Sequence, residues 1–157
     1  MSKNIVVFAA HPDDESLGCS GTLSRHVDDG DNVFIIFLAD GETSRRTNIT
    51  ELSDRKKAAY RSCEIIGCNK PEFIDYPDNR MDTIEFLDVV KKVEHYINKY
   101  KPLIVYTHYQ NDLNIDHQIT YRATMTACRP QPSFCVKEIY SFEVLSSTEW
   151  SLESVFN

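Results

Sequence analysis

Two short segments of the chain concentrate side chains that can bind a metal or move a proton. The first, AHPDDE at residues 10–15, directly follows an apolar run and carries one imidazole and three carboxylates: His11, Asp13, Asp14 and Glu15. The second, THYQNDLNIDHQIT at residues 107–120, carries His108, Asp116 and His117. Nitrogen and oxygen donors without thiolate suit zinc or a similar divalent metal, and three protein ligands with an open position are typical of a catalytic site. The two segments therefore predict a catalytic metal site if the fold brings them to one place.

The adjacent aspartates also have a purely structural explanation, which is helix capping. Asp13 and Asp14 precede a helical pattern that starts at Leu17, and carboxylates near a helix N-terminus are stabilising. Capping would account for one aspartate. It does not account for two aspartates and a histidine that face a second Asp–His segment, so the pattern favours a metal site.

Buried strands are expected directly before both segments. Continuous apolar, β-branched and aromatic runs at residues 5–10, 33–39 and 103–107 are typical of strands that are buried on both faces of a parallel sheet. Weaker strand candidates lie at 72–76 and 138–144. Helical patterns separate these runs, at residues 17–27, 51–66, 82–100 and about 116–128.

This alternation of strands and helices predicts an α/β fold. It implies βαβ units with right-handed crossovers and a mostly parallel open sheet. No linker, repeat or low-complexity segment interrupts the chain, so we expect one domain over residues 1–157. Ligands of such sheets bind outside the carboxyl ends of the strands, which is where both segments are expected to lie.

Composition and charge exclude several classes of protein. With 41% hydrophobic and 26% charged residues the chain is typical of a globular protein rather than a disordered one. A formal net charge of -7 argues against nucleic acid or an anionic membrane as a partner. No signal peptide or membrane span is visible, which predicts a cytoplasmic protein. The five cysteines form no CxxC pair, so we expect reduced, packed thiols rather than a zinc knuckle.

Five motifs, taken in their order along the chain, resemble those of one family, the LmbE-like or PIG-L family of zinc-dependent N-deacetylases. The motifs are AHPDDE, DGE at 40–42, DNRMD at 78–82, HYQNDLNIDH at 108–117 and FEVLSSTEW at 142–150. The resemblance covers nearly the whole chain. It implies a Rossmann-like three-layer α/β sandwich and the hydrolysis of acetamido groups on N-acetylglucosamine-type sugars.

The resemblance also implies roles for individual residues. His11, Asp14 and His117 would hold the metal, which is Zn2+ or another divalent ion such as Fe2+, and Asp13 would be the general base. Arg80 matches a family position that contacts substrate. The alternative for Arg80 is a surface ion pair with a neighbouring aspartate.

The chain departs from the family pattern in two ways. Several members carry a catalytic histidine at the position of Asn114, so the acid role passes either to His108 or to a protonated Asp13 that returns its proton. His108 has the alternative of a backbone-bonded structural residue, and Asp116 either orients a catalytic group or caps the following helix. Family members also continue past the last motif, whereas this chain stops at Asn157, so we expect the family's C-terminal part to be missing.

Three interpretations remain at the level of the sequence. The first is an N-deacetylase whose partner is a small acetamido sugar or sugar conjugate, with homo-oligomerisation left open. The second is a metal-binding relative without activity. The third is a receiver-like module that binds magnesium through carboxylates, although two histidines have no role there.

Overall fold

The computed structural model describes residues 2–44, 49–131 and 136–149, with the side chains of 49–53 excepted. These residues form five strands and six α-helices in alternation, with a short 3-10 turn at Met81–Thr83 before the fourth helix. The elements in chain order are β1 (Asn4–Ala9), α1 (Asp14–Gly18), α2 (Ser20–Asp28), β2 (Asn32–Ala39), α3 (Ile49–Ile66), β3 (Glu72–Tyr76), α4 (Phe86–Tyr100), β4 (Ile104–His108), α5 (Ile115–Ala127), β5 (Glu138–Phe142) and α6 (Leu145–Thr148).

The five strands form one parallel sheet in the order β3-β2-β1-β4-β5. This is the strand order of the Rossmann fold, and a receiver-like sheet would have the order 2-1-3-4-5 instead. The direction of winding reverses between β1 and β4, which pair with each other. A crevice is therefore expected outside the carboxyl ends of these two strands, and the two polar segments follow at that point.

Helices cover both faces of the sheet, which confirms the three-layer α/β prediction. Side chains of a strand alternate between the faces, and in β1 both sets are apolar. Val6 and Phe8 pack in one core with α4 and α5. Ile5 and Val7 pack in the other with α2 and α3. Within the described ranges no helix is long and apolar enough to cross a membrane.

The boundaries of some helices differ from those predicted. The pattern at 17–27 forms two helices, because the chain leaves the helical conformation at Cys19. The pattern at 82–100 begins as the 3-10 turn, and α6 was not expected. The end of α1 is closely packed where the 17–27 pattern divides into two helices. A Cβ atom added to Gly18 would lie 2.4 Å from the Phe142 ring of β5. This close approach ties α1 to the far edge of the sheet.

The cysteines of the described residues contribute to the cores. Cys19 and Cys63 pack between the sheet and α2 and α3, and Cys128 packs on the opposite face. Cys68 is half-buried, and none of these four forms a disulfide. Cys135 lies outside the described residues. The packing agrees with the interpretation of these thiols as small apolar side chains.

Gly18→Ala is expected to lower the free energy of unfolding by about 1–3 kcal/mol, because the new methyl group must displace the Phe142 ring or the Glu143 carbonyl oxygen. Gly21→Ala is the matched control, since its added Cβ would meet no atom within 4 Å. Alanine is the better helix former by about 1 kcal/mol, so the control should be as stable as wild type or more so. Urea unfolding followed by circular dichroism measures both, and an unchanged stability of Gly18→Ala would contradict the close packing.

Candidate active site and metal centre

A cavity of about 290 Å³ opens at the carboxyl ends of β1 and β4. Four of the residues that the sequence analysis predicts as metal ligands or as the general base line it: His11, Asp13, Asp14 and His117. The other lining residues are Leu17, Gly41, Arg55, Asp78, Asn79, Asn114, Ser146 and Ser147. The fold thus brings together the two segments, which are about a hundred residues apart in the sequence.

The turn after β1 sends the two adjacent aspartates in different directions. The carbonyl oxygen of His11 accepts hydrogen bonds from the amides of Asp13 and Asp14 at 2.9 and 3.2 Å. The carboxylate of Asp14 folds back to accept from the His11 amide at 2.7 Å and is buried. The side chain of Asp13 is 48% exposed and accepts a hydrogen bond from Arg55 at 3.2 Å. The doublet therefore presents one buried and one open carboxylate.

Three buried donor atoms converge at the base of the cavity. His117 Nε2 lies 3.3 Å from Asp14 Oδ2 and 3.2 Å from His11 Nδ1, and His11 Nδ1 lies 3.4 Å from Asp14 Oδ2. Two imidazole nitrogens and one carboxylate oxygen are a donor set that zinc accepts, and the cavity leaves the remaining side open. The chemistry of the residues present therefore fits a catalytic divalent metal.

The far nitrogens of both imidazoles face carboxylates. His11 Nε2 lies 3.0 Å from Asp116 and 3.1 Å from Asp78, and His117 Nδ1 lies 3.0 Å from Asp112. Metal-binding histidines usually donate their second N–H to such a group, which orients the ring and fixes its tautomer. These contacts are a second observation that fits a metal site.

The pKa values of the site residues indicate that the buried carboxylates require positive charge beside them. Burial alone would lower the pKa of His11, but surrounding carboxylates, above all Asp116, raise it to about 11. Burial would also lower the pKa of His117, but the neighbouring carboxylates, first Asp112 and then Asp14, raise it to about 9. Burial would raise the pKa of Asp14, yet the three imidazoles around it hold that pKa well below its usual value. Protonated His11 and His117 balance the buried carboxylates when no other cation is bound.

Asp116 lies behind the cavity and organises its wall. It is fully buried, and besides His11 it accepts from the amides of Asn79 and Met81 at 2.7 and 3.1 Å. The N-cap of α5 is instead Asn114, whose side chain accepts from the amide of Asp116 at 2.8 Å. The geometry therefore favours the orienting role of Asp116 over the capping role.

His108 is fully buried and does not line the cavity. Its Nε2 accepts a hydrogen bond from the Ala10 amide at 2.8 Å, and its ring stacks on that of His117 with centroids 3.9 Å apart. Burial lowers the pKa of His108 to about 4. A neutral ring that is bonded to backbone cannot donate a proton into the cavity, so the structural alternative for His108 is favoured over the acid role.

Arg55 is a site residue that the sequence analysis missed. A basic run such as 55–57 is most often a solvated helix face, but Arg55 lines the cavity and its Nη1 lies 3.2 Å from Asp13. Its Nε also lies 3.6 Å from Glu42 in the DGE motif. The position of Arg55 near the start of α3, which follows that motif, was the available signal. The side chain of Arg80, by contrast, is exposed and does not line the cavity.

Comparisons with known proteins agree with this fold and site. Among curated relatives, the uncharacterized deacetylase YaiS of Escherichia coli is 29% identical over 135 residues, which cover 83% of this chain and 70% of the relative. The diacetylchitobiose deacetylase of Thermococcus kodakarensis is 31% identical over 107 residues, which cover 66% of this chain and 39% of that one. This chain therefore spans between 39% and 70% of the length of these two relatives.

Structural and family matches extend over most of the chain. The crystal structure of a conserved protein from Thermus thermophilus superposes with a TM-score of 0.76 and 25% identity, covering 90% of this chain and 66% of that one. Residues 6–128 match the family model of PIG-L, described as GlcNAc-PI de-N-acetylase. Because that match runs from β1 to the end of α5 and contains the donor atoms of the cavity, the chain belongs to the PIG-L family.

Proposed function

We propose that this protein is a metal-dependent N-deacetylase that removes the acetyl group from an acetamido sugar of the N-acetylglucosamine type. One observation carries the proposal: three donor atoms of types that bind divalent metals lie beside the same cavity as the open carboxylate of Asp13. Family membership and the deacetylase names of the curated relatives support it. The cavity and Asp13 also favour activity over a metal-binding relative that has lost it.

In this proposal His11, Asp14 and His117 hold the metal, which is zinc or another divalent ion such as Fe2+. When bound, a metal of this kind polarises the acetamide carbonyl and lowers the pKa of the attacking water. Asp14 contributes the only negative charge among the three ligands. The carboxylates behind the two imidazoles keep the ligating nitrogens pointed at one position.

Asp13 carries the proton in both halves of the reaction. As a base it accepts a proton from the water that attacks the acetamide carbon, and as an acid it returns that proton to the leaving amine. Asn114 cannot titrate, and His108 is buried and bonded to backbone. Burial and the neighbouring Asp14 raise the pKa of Asp13, while Arg55 opposes this rise. A raised pKa helps the carboxyl group to hold the proton between the two steps.

Arg55 is the cation that we assign to substrate binding. Its guanidinium group lies on the cavity wall, and a Cβ atom added to Gly41 would approach its Nη1 to 3.2 Å. A guanidinium group can donate to sugar hydroxyls while it keeps its bond to Asp13. Arg80 stays a prediction from the sequence, and a direct comparison of the two arginines tests the assignment.

The proposal includes a small-molecule partner and a reducing compartment. A net charge of -7 does not suit nucleic acid or an anionic membrane surface. The thiols that pack in the two cores are typical of cytoplasmic proteins, so we propose the cytoplasm. We treat residues 1–157 as one domain and leave homo-oligomerisation open.

His11→Ala and His117→Ala should each remove most of the bound metal, because each change deletes one of the three ligands and the new methyl group offers no donor atom. The measurement is zinc content per chain by elemental analysis after dialysis against limiting zinc. His95→Ala, at an exposed position on α4, is the control and should keep the wild-type zinc content. Undiminished zinc in both site variants would rule out this metal centre.

The two adjacent aspartates should separate metal binding from turnover. Asp13→Asn is expected to keep its zinc and to lose about 10²–10⁴-fold in turnover, because the amide preserves shape but cannot accept a proton. Asp14→Asn should bind zinc more weakly, because a neutral amide is a poorer ligand than a carboxylate. Zinc titration and amine release are followed for both, with the exposed Asp28→Asn as control. Rescue of Asp13→Asn by excess zinc, or wild-type zinc affinity of Asp14→Asn, would show that the roles are misassigned.

Arg55→Gln should lower kcat/KM for a small acetamido sugar by about 10–100-fold, which corresponds to the loss of one charged hydrogen bond of about 1.5–3 kcal/mol. Zinc content should stay normal, since Arg55 is not among the three proposed ligands. Arg80→Gln should have a smaller effect, because its side chain is exposed and away from the cavity wall. The reverse order of the two effects in steady-state kinetics would return the substrate role to Arg80.

A further inference from the structure

Asp112 is a buried carboxylate beside the cavity that is neither a metal ligand nor a proton carrier in the proposed chemistry. It is 1% exposed, and both of its oxygens are engaged. Oδ1 accepts from the amide of Asn114 at 2.9 Å. Oδ2 lies 3.0 Å from His117 Nδ1, 2.9 Å from Ser147 Oγ and 2.7 Å from Thr148 Oγ1. A side chain held by four partners in this way is suited to hold another group in place.

The contact with His117 determines which nitrogen of that ring faces the metal position. An ionised carboxylate only accepts, so the bond runs from the N–H at Nδ1 of His117 to Asp112. When the ring is neutral, as metal binding requires, the lone pair of Nε2 is directed at the space beside Asp14 and His11. Nε2 lies 3.3 Å from Asp14 Oδ2 and 3.2 Å from His11 Nδ1. Stacking on His108 restricts the tilt of the same ring. Asp112 therefore controls both the tautomer and the rotation of His117.

The orientation of Asp112 in turn depends on α6. The hydroxyl oxygen of Thr148 accepts from the amide of Val144 at 2.9 Å, so its own proton is free to point at Asp112. Thr148 is 4% exposed, so bulk water cannot easily replace this bond. Val144 and Phe142 pack in the core, which anchors the segment that carries the two hydroxyls.

We propose that Asp112 is a positioning residue for His117 and that Thr148 and Ser147 of α6 hold Asp112 in its working geometry. The segment after β5 thereby contributes to metal affinity, although it supplies no ligand. The inference rests on the proposed function, since it requires His117 to be a metal ligand. Loss of such an outer partner typically costs about 10–100-fold in metal affinity.

The test is the zinc dissociation constant of the full chain, measured by competition with a chromophoric chelator. Asp112→Asn should weaken zinc binding by about 10–100-fold. Thr148→Val keeps the shape and removes the hydroxyl, so it should weaken binding in the same direction by a smaller factor. Thr148→Ser keeps the hydroxyl and should bind zinc as wild type does. This rescue by the conservative variant separates a positioning role from a general packing role.

Thr120→Val is the matched control. Thr120 is also fully buried, it lies on α5 with His117, and its hydroxyl has no hydrogen-bond partner within the described part of the chain. Its zinc affinity should equal that of wild type. Circular dichroism of the metal-free variants confirms that each is folded, and if Asp112→Asn is not, the Thr148 pair decides the question alone.

The outcomes separate this inference from the proposed function. Wild-type zinc affinity in both Asp112→Asn and Thr148→Val, or an equal loss in Thr120→Val and Thr148→Val, would overturn the positioning role. If the wild-type chain binds no zinc, or if His117→Ala binds it as tightly as wild type, the proposed function fails and this inference fails with it. An NMR spectrum of the zinc-loaded protein adds a direct readout, because the Nδ1 proton of His117 that bonds to Asp112 should exchange with water faster in Asp112→Asn than in wild type.

Discussion

The burial of four carboxylates around two imidazoles is the constraint on which the rest of this structure depends. Burying an ionised carboxylate is costly unless it is paired and hydrogen-bonded. Each imidazole here touches carboxylates through both of its nitrogens, so neither ring can turn without breaking a buried contact. The carboxylates are those of Asp14, Asp78, Asp112 and Asp116. The cluster is electrically satisfied only when positive charge enters it, either as protons on the two imidazoles or as a bound cation.

The sheet explains why such a cluster can form at all. β1 and β4 are adjacent, parallel and apolar on both faces, so the polar residues that follow them emerge side by side at one edge. The helices on either face exclude water from the sides of the cluster and leave the cavity as its approach. Backbone amides of the loop after β3 then bond to Asp116, which joins a third strand end to the same site.

A single turn of backbone places the two adjacent aspartates in different environments. Because the His11 carbonyl accepts from both following amides, consecutive side chains leave the turn on different sides. One becomes a buried carboxylate beside the imidazoles, and the other becomes an open carboxylate next to an arginine. The N-cap function of Asn114 has a related consequence. The residue at that position caps the helix that carries His117, so its side chain has a structural role.

Much of this fold and part of its site follow from the sequence alone, because the evidence for them is local. Apolar runs, helical spacing and their alternation predicted all five strands and the parallel sheet, and the rule about carboxyl ends placed His11, Asp13, Asp14 and His117 together. The tertiary structure alone decided the remaining assignments. The burial of His108, the presence of Arg55 on the cavity wall and the link from Asp112 to α6 each depend on contacts between residues 30 or more positions apart. Side chains of the same type occur at many surface positions, and only packing determines which of them lose water and gain a partner.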